Sequence, residues 1–514
     1  MIRSSHPSLP LAAVLALAAS ACGSPRPASF GPVKVDIPVL DTTKAPKGMA
    51  KAGPRREAPP PSSAVKESPF PAVDHAALAN GVGVDVVTAK SLPLAHVRVL
   101  VKAGAGYGAL PATGAITAQL LKDGGTRGMS SADVLRKVET VGADIGVRAD
   151  NDAIVLSLTV PSDKLGEAFG VLGEVTRFPR FDDGELQKLK NRMSDEAKEN
   201  ARSSGMFMAT RALFRELYGA KGPYATMGLL ASDIAKVGGR EVRDFHRAFF
   251  VPGNVTVVIT GAVEPADAKA LVEKAFGDWK GDAPPAVEVP APKAPEKRRV
   301  IVCHREGSAQ SDAFVAMLAP ARGVPEWPAI RVSNQVLGGG VASRLFLDVR
   351  EQRSLAYRTS AQILELAKGP QPLIVYAGTE TKKTDQAVRG LLDNLDRIAK
   401  GDVREEEAAS ARRYLSDIFA IRMETLGSVA DMITNLRVLG LPDGYYDAYR
   451  TEVRGVNADG VNGVARTLYP TKNALVLVAG DAGAIADGLA AFGDVTVVDP
   501  EKDFAVVRTV AAKP

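Results

Sequence analysis

Hydrophobic and polar positions along this 514-residue chain change period many times, and the changes mark its elements. Val84–Val87 and Val97–Val101 are short β-branched runs after the Asn80-Gly81 turn signal, and predict strands. Residues 113–123 predict a helix. Ser130 starts another through Val134, Leu135, Val138 and Val141. Ile154–Val160 alternates as a strand, and 164–176 and 184–200 are helical by period. Asn254–Gly261 reads as a buried strand closing on a glycine turn.

The same order then returns. Ala313–Leu318 predicts a strand, 328–337 a helix, and Thr384–Ala399 and 403–424 two more helices. Asn473–Gly480 echoes Asn254–Gly261 at an offset of 219 residues, and Ala329-Ile330 echoes Ala115-Ile116 at 214. Two echoes in one order at nearly one offset indicate a tandem duplication. The expected fold is α+β: two tandem homologous lobes, each a mostly antiparallel sheet with helices packed on one face.

Outside the lobes the pattern breaks down. Residues 1–22 have Arg3, an apolar run over 11–21 and then Ala19-Ser20-Ala21-Cys22, which looks like a lipobox ending an export signal. Cys22 is then the lipidation site, and the protein is expected on the periplasmic side of the cell envelope as an outer-membrane lipoprotein. A plain signal cut near Ala21 is the alternative. Residues 23–72 are expected to be a disordered tether, because 23–70 hold ten prolines and few large apolar side chains. The expected division continues as a first lobe over 73–280, a linker over 281–297 with five prolines, a second lobe over 298–500 and a tail over 501–514.

Charge gives one class of function no support. The net charge is +5, of which Arg3 supplies one and residues 23–70 supply four, from eight Lys/Arg against four Asp/Glu. The remaining chain nets zero, so nothing in its overall balance points to nucleic acid. Two cysteines in the whole chain exclude a disulfide scaffold and a cysteine-rich metal cluster.

The most specific string is Leu337-Gly-Gly-Gly-Val-Ala-Ser343-Arg344-Leu345-Phe346, then Arg350-Glu351 and Leu355-Ala356-Tyr357. With Val99–Tyr107, Val141-Gly142-Ala143 and Phe245–Asn254, it makes residues 74–500 resemble the pitrilysin/insulinase family of zinc metallopeptidases. Active members carry His-x-x-Glu-His on their first helix, two His for zinc and a Glu as general base. The resemblance puts those positions on Ala115, Ala118 and Gln119, or in the ungapped frame on Ile116, Gln119 and Leu120. Neither frame supplies the ligands. The third-ligand position falls on Glu196, and Asp195, Glu196 and Glu199 read as a solvated helix face with Lys198. The five histidines, His6, His75, His96, His246 and His304, show no paired spacing. Cys303-His304 reads as the end of an apolar strand with a buried thiol.

The resemblance implies roles for the second lobe. Arg350 and Tyr357 would bind substrate backbone and stabilise the oxyanion of peptide hydrolysis. Gly338, Gly339 and Gly340 would hold an extended peptide, as a glycine-rich loop does in the substrate-binding subunit of mitochondrial processing peptidase. No Lys-Ser/Thr ending makes that run a phosphate loop. The expectation is a chain inactive alone and without its own cofactor. It would bind peptide and act beside a partner chain that carries His-x-x-Glu-His and the zinc. The rivals are a pure scaffold or peptide-binding protein and a self-sufficient peptidase.

Overall fold

The computed structural model describes residues 68–219 and 222–513. Its strands are β1 (Asp74–Ala77), β2 (Gly83–Thr88), β3 (Leu94–Val101), β4 (Asp144–Ala149), β5 (Ile154–Pro161) and β6 (Val255–Gly261). The second half adds β7 (Arg299–His304), β8 (Gln310–Ala321), β9 (Arg358–Ile363), β10 (Pro370–Glu380), β11 (Leu475–Gly480), β12 (Val495–Asp499) and β13 (Ala505–Val510). One sheet has the order β1-β2-β6-β3-β5-β4 and the other β13-β12-β7-β11-β8-β10-β9. Stripped of β1, β12 and β13, the two orders are the same path traced twice. The fold is α+β with two repeated lobes, as the internal echoes imply. The echoed strands are equivalent: β6 runs parallel to β2 with Val84 beside Val257, and β11 runs parallel to β7 with Val300 beside Val476. The other neighbouring strands in both sheets are antiparallel, apart from β12 against β7.

Each half packs its own helices on one sheet face. In the first, Ile116, Leu120, Phe169 and Leu172 meet Val97, Val99, Leu156 and Val257. In the second, Ile330, Val388 and Leu391 meet Val302, Val315 and Val375. Helix starts follow local chemistry. Ser130 accepts from the Asp133 amide and Asp133 returns the bond to Ser130, a reciprocal cap that sets the start of the Ser131–Thr140 helix. Asp182 caps Asp183–Ser203 through the amides of Gly184 and Glu185.

The other face of each sheet is closed by the opposite half. Helix Gly205–Tyr218, from the first half, lays Met208, Ala212 and Leu213 on Ile301, Cys303, Phe314 and Leu477. Helix Leu426–Leu439, from the second, puts Val429 and Ile433 in one core with Val87 and Val258. The Leu426 carbonyl accepts from Thr260 Oγ1 at 2.8 Å, and Asp431 accepts from Arg98 Nε at 2.7 Å. Val65–Pro514 accordingly forms one compact unit.

Two expected boundaries need correction. The stretch 501–514 is not a tail: β13 pairs antiparallel with β12 and extends the second sheet, with Val495 beside Val510. Nor does the tether reach residue 72. The Ser68 carbonyl accepts from Arg450 at 2.6 Å, the Phe70 amide donates to Asp447 at 3.1 Å, and the Phe70 ring packs 5.0 Å from Tyr446. One buried aromatic outweighs the local prolines, since burying such a side chain contributes about 1.5–3 kcal/mol. The expected signal, Cys22 and most of the tether lie outside the described residues.

Candidate functional site

The first-lobe site is built by the helices Thr113–Asp123 and Asp183–Ser203, which pack on each other. Ala115 and Glu196 line one cavity of about 340 Å³, with Asn151, Met193, Asn200 and Phe207. Ala118, one turn further on, is buried at 2% exposure. The Gln119 amide donates to Asp123 at 3.1 Å. Of the two frames only the first puts its leading position on the cavity; Ile116 and Leu120 are core residues at 0% and 1% exposure. Among the described residues, Glu196 is the sole carboxylate on the cavity wall. No group of three His, Cys, Asp or Glu among the described residues could hold a metal. Zinc needs three or four such donors, so these residues do not fit it.

The histidines sit apart from this cavity. Both ring nitrogens of His75 face carboxylates, Asp85 at 2.7 Å and Asp443 at 2.8 Å. His96 meets Thr159 Oγ1 at 3.0 Å, His246 meets the Thr176 carbonyl at 2.9 Å, and His304 accepts from the Ala482 amide at 3.2 Å. His6 lies outside the described residues. Asp195 pairs with Lys198 at 3.5 Å and Glu199 with Arg202 at 4.0 Å, the solvated face the sequence suggests. Cys303 is buried, and burial pushes its thiol up to about 12, far from the thiolate that reactivity requires.

The second-lobe residues do come together. Arg350 lies on the π-helical turn Phe346–Gln352, a form often found at functional sites. Its guanidinium stacks 4.5 Å from the Phe346 ring centre and stands 3.5 Å from Glu351. Ser354 then takes φ +50°, a left-handed turn that is uncommon for a residue with a Cβ. That turn redirects the chain so that Tyr357 and Arg350 line one open cleft of about 390 Å³, with Glu380 and Lys383. Tyr357 is 54% exposed, and its amide donates to the Gly378 carbonyl at 3.0 Å. Beneath it Tyr376 donates to Asp312 at 2.7 Å; burial, Asp312 and Tyr357 all push its phenol well up. This Tyr376–Asp312 support escaped the sequence reading; only the alternation along β10 hints at it.

The three glycines divide. Gly338 ends the helix Trp327–Gly338, and a Cβ there would lie 2.4 Å from the Ala361 amide nitrogen. A Cβ on Gly339 would lie 2.1 Å from Gln335 Oε1. Both allow close packing, while Gly340 is exposed and leads into Val341, 71% exposed.

A duplicated, mostly antiparallel α+β lobe with an altered first-helix site and an Arg–Tyr cleft defines a peptidase-like class. A family model described as Insulinase (Peptidase family M16) matches residues 87–220, and one described as Peptidase M16 inactive domain matches 237–415. The chain belongs to this insulinase, or M16, peptidase family. It is 22% identical over 357 residues to a Bacillus subtilis protein named uncharacterized zinc protease YmxG, covering 69% of this chain and 85% of that one. The crystal structure of a peptidase M16 inactive domain from Pseudomonas fluorescens superposes with a TM-score of 0.74 at 23% identity, covering 80% of this chain and 98% of that one. A protease from Helicobacter pylori gives 0.72 at 18%, covering 80% and 99%. At these identities the structures speak for the fold.

Proposed function

We propose that this chain is the non-catalytic, substrate-binding subunit of a two-chain zinc peptidase acting on peptides in the cell envelope. One observation carries the reading: Arg350 and Tyr357 share an open cleft while the His-x-x-Glu-His positions hold Ala115, Ala118 and Gln119. In this reading the partner chain, a family member carrying that motif, supplies zinc and the general base. This chain supplies a permanently charged fork and a phenolic donor. Arg350 holds a peptide carbonyl and Tyr357 donates to it, and both bonds strengthen as negative charge develops on the oxygen. Gly340 and the exposed backbone after it offer hydrogen bonds to an extended peptide.

The test is co-expression with a neighbouring His-x-x-Glu-His chain, comparing wild type, Arg350→Ala and Tyr357→Phe. Each substitution is expected to lower turnover on the order of a hundred- to a thousand-fold, with the complex still assembled by size-exclusion chromatography. Intact complexes with unchanged turnover refute the reading. They favour a scaffold instead, in which Arg350 only braces its own turn through Phe346 and Glu351. Anchoring belongs to the same proposal: Cys22 carries the lipid and holds the protein to the outer membrane on its periplasmic side. Mass spectrometry of the mature N-terminus checks it, and an unmodified start elsewhere defeats it.

A further inference from the structure

A second cavity lies in the first half and the start of the linker, and shares no lining residue with the Arg350 cleft. It encloses about 980 Å³ between the end of the Leu165–Arg177 helix, the Gly239–Phe249 helix and the start of the linker. Its walls carry Arg127, Arg177, Arg180, Arg240, Arg243 and Arg247, with Lys280 from the linker. Among the described residues, only Asp244 and Asp282 oppose them on the wall itself. Asp278, Asp182 and Asp183 pair with Arg177, Arg180 and Arg243 from beside the wall, so seven cations meet five carboxylates and a positive excess remains on a body whose overall charge is balanced. Part of it was legible, since Arg240, Arg243 and Arg247 recur at helical spacing and share a face.

Three details suggest a site rather than a random patch. First, Arg177 is 10% exposed and held rigidly. It donates to the Ala275 carbonyl at 2.5 Å, pairs with Asp278 at 2.8 Å, and stacks on Phe178 and Trp279, yet its buried Nε has no hydrogen-bond partner. A buried guanidinium donor left unpaired costs stability. Second, Arg127 and Lys280 make no ion pair among the described residues. Beyond the Arg177–Asp278 pair, the pairs that form are exposed: Arg247–Asp244 at 3.1 Å, Arg240–Asp244 at 3.5 Å, Arg243–Asp183 at 3.7 Å and Arg180–Asp182 at 3.7 Å. Such pairs contribute about 0–1 kcal/mol each, so a stronger anion displaces them readily. Third, Phe181 on the cavity wall is buried and held at φ +42°, a strained conformation for an aromatic residue.

We infer that this cavity binds a compact, multiply charged phosphate ligand, either a free polyphosphate or the phosphate of an anionic lipid. Guanidinium forks grip phosphate oxygens in pairs, and six of the seven cations are arginine. Seven cations converge on one cavity of about 980 Å³, which suits concentrated charge. Trp279, Phe181 and Phe250 give the same wall an apolar part. The inference is independent of the peptidase reading.

The probe is tripolyphosphate, titrated into the full chain while Trp279 fluorescence is followed. The second arm is sedimentation with phosphatidylglycerol vesicles against phosphatidylcholine vesicles, using protein cleaved free of any lipid anchor. Saturable binding that weakens with salt is expected. The double variant Arg243→Glu with Arg247→Glu should lose about tenfold or more in affinity, as removal of charged hydrogen bonds implies. Arg404→Glu, an exposed reversal in the second half, should change nothing. A response to tripolyphosphate assigns the site to free phosphate; a response to phosphatidylglycerol alone assigns it to lipid. Binding that survives the double reversal, a response only to poly-glutamate, or no response in either arm overturns the inference. Thermal unfolding of each variant excludes simple loss of fold, and Arg127→Gln provides a milder second substitution.

Discussion

A methyl group at Ala115 and the Glu196 carboxylate line one cavity of about 340 Å³, and that shared wall makes the altered metal site testable. The double variant Ala115→His with Gln119→His adds two imidazoles at the i, i+4 spacing that aligns side chains on one helix face. With Glu196 they supply three candidate ligands, and the variant is expected to retain about one zinc per chain after dialysis. The alternative frame, Ile116→His with Leu120→His, places polar rings into a core where both residues are at most 1% exposed. It should destabilise the protein and bind no metal; zinc retained by that variant and not by the first would move the site. His246 offers a second residue-scale test. Burial, assisted by Arg127 and opposed by the bond to the Thr176 carbonyl, lowers its pKa from 6.5 to about 4. The unfolded chain therefore takes up the proton first as pH falls. The stabilising effect is whole above pH 6.5 and is lost progressively towards pH 4, amounting to roughly 3 kcal/mol. His246→Phe preserves the stacking on Phe250 and should flatten that part of the stability–pH curve. Parallel wild-type and variant curves in denaturant unfolding would show that the proton is taken up elsewhere.

Elements show how far a pattern can be read and where it stops. The strands around Val97, Val155 and Val258 and the helices 113–123 and 384–399 were legible, because period and length together leave one reading. Helix Gly205–Tyr218 has an ordinary apolar stripe, but no stripe says which sheet it covers. That choice is made in three dimensions, and it falls on the second half's sheet. The π-turn at Phe346–Gln352 has no period to find, and β13 looked like a tail because pairing at a sheet edge leaves its side chains exposed. Met208, fully buried on the exchanged helix, tests the assignment. Met208→Ala should cost about 2–5 kcal/mol, and amide exchange should speed up in β11, which belongs to the other half. Loosening confined to the first half would contradict the packing. Gly338 makes a matching case. A Cβ 2.4 Å from the Ala361 nitrogen cannot be relieved by a side chain moving aside, so Gly338→Ala should cost about 1–3 kcal/mol. At Gly340 the nearest atom would be 3.8 Å away, and alanine should be tolerated there. Equal melting temperatures for the two variants would remove the packing role assigned to Gly338.

For the whole molecule, the exchanged helices make the duplication one folding unit instead of two. Each sheet has one face that its own half leaves uncovered. In the second sheet that face presents Ile301, Phe314 and Leu477, all at most 3% exposed only because the first half's helix lies on them. Polar ties follow the same crossing: Arg437 bridges Asp85 of the first half and Asp443 of its own at 2.6 Å each, and buried Asp152 accepts from Tyr107 and Tyr224 of its own half and from the Ala367 amide of the other. An apolar face of that kind, exposed to water, drives aggregation or reassociation. The segment 282–297 between the halves carries no helix or strand, so it can be cut without breaking either sheet. With a protease site inserted there, the cut protein should elute as one species and melt in one transition close to that of the intact chain. Residues 68–297 or 298–513 expressed alone should be insoluble or molten, and refolding the two together should recover the soluble form. Two halves that are separately soluble, each with its own cooperative melt, would show that the exchange decorates two independent domains, and the sharing of cores argued from Met208 and Ile433 would have to be abandoned.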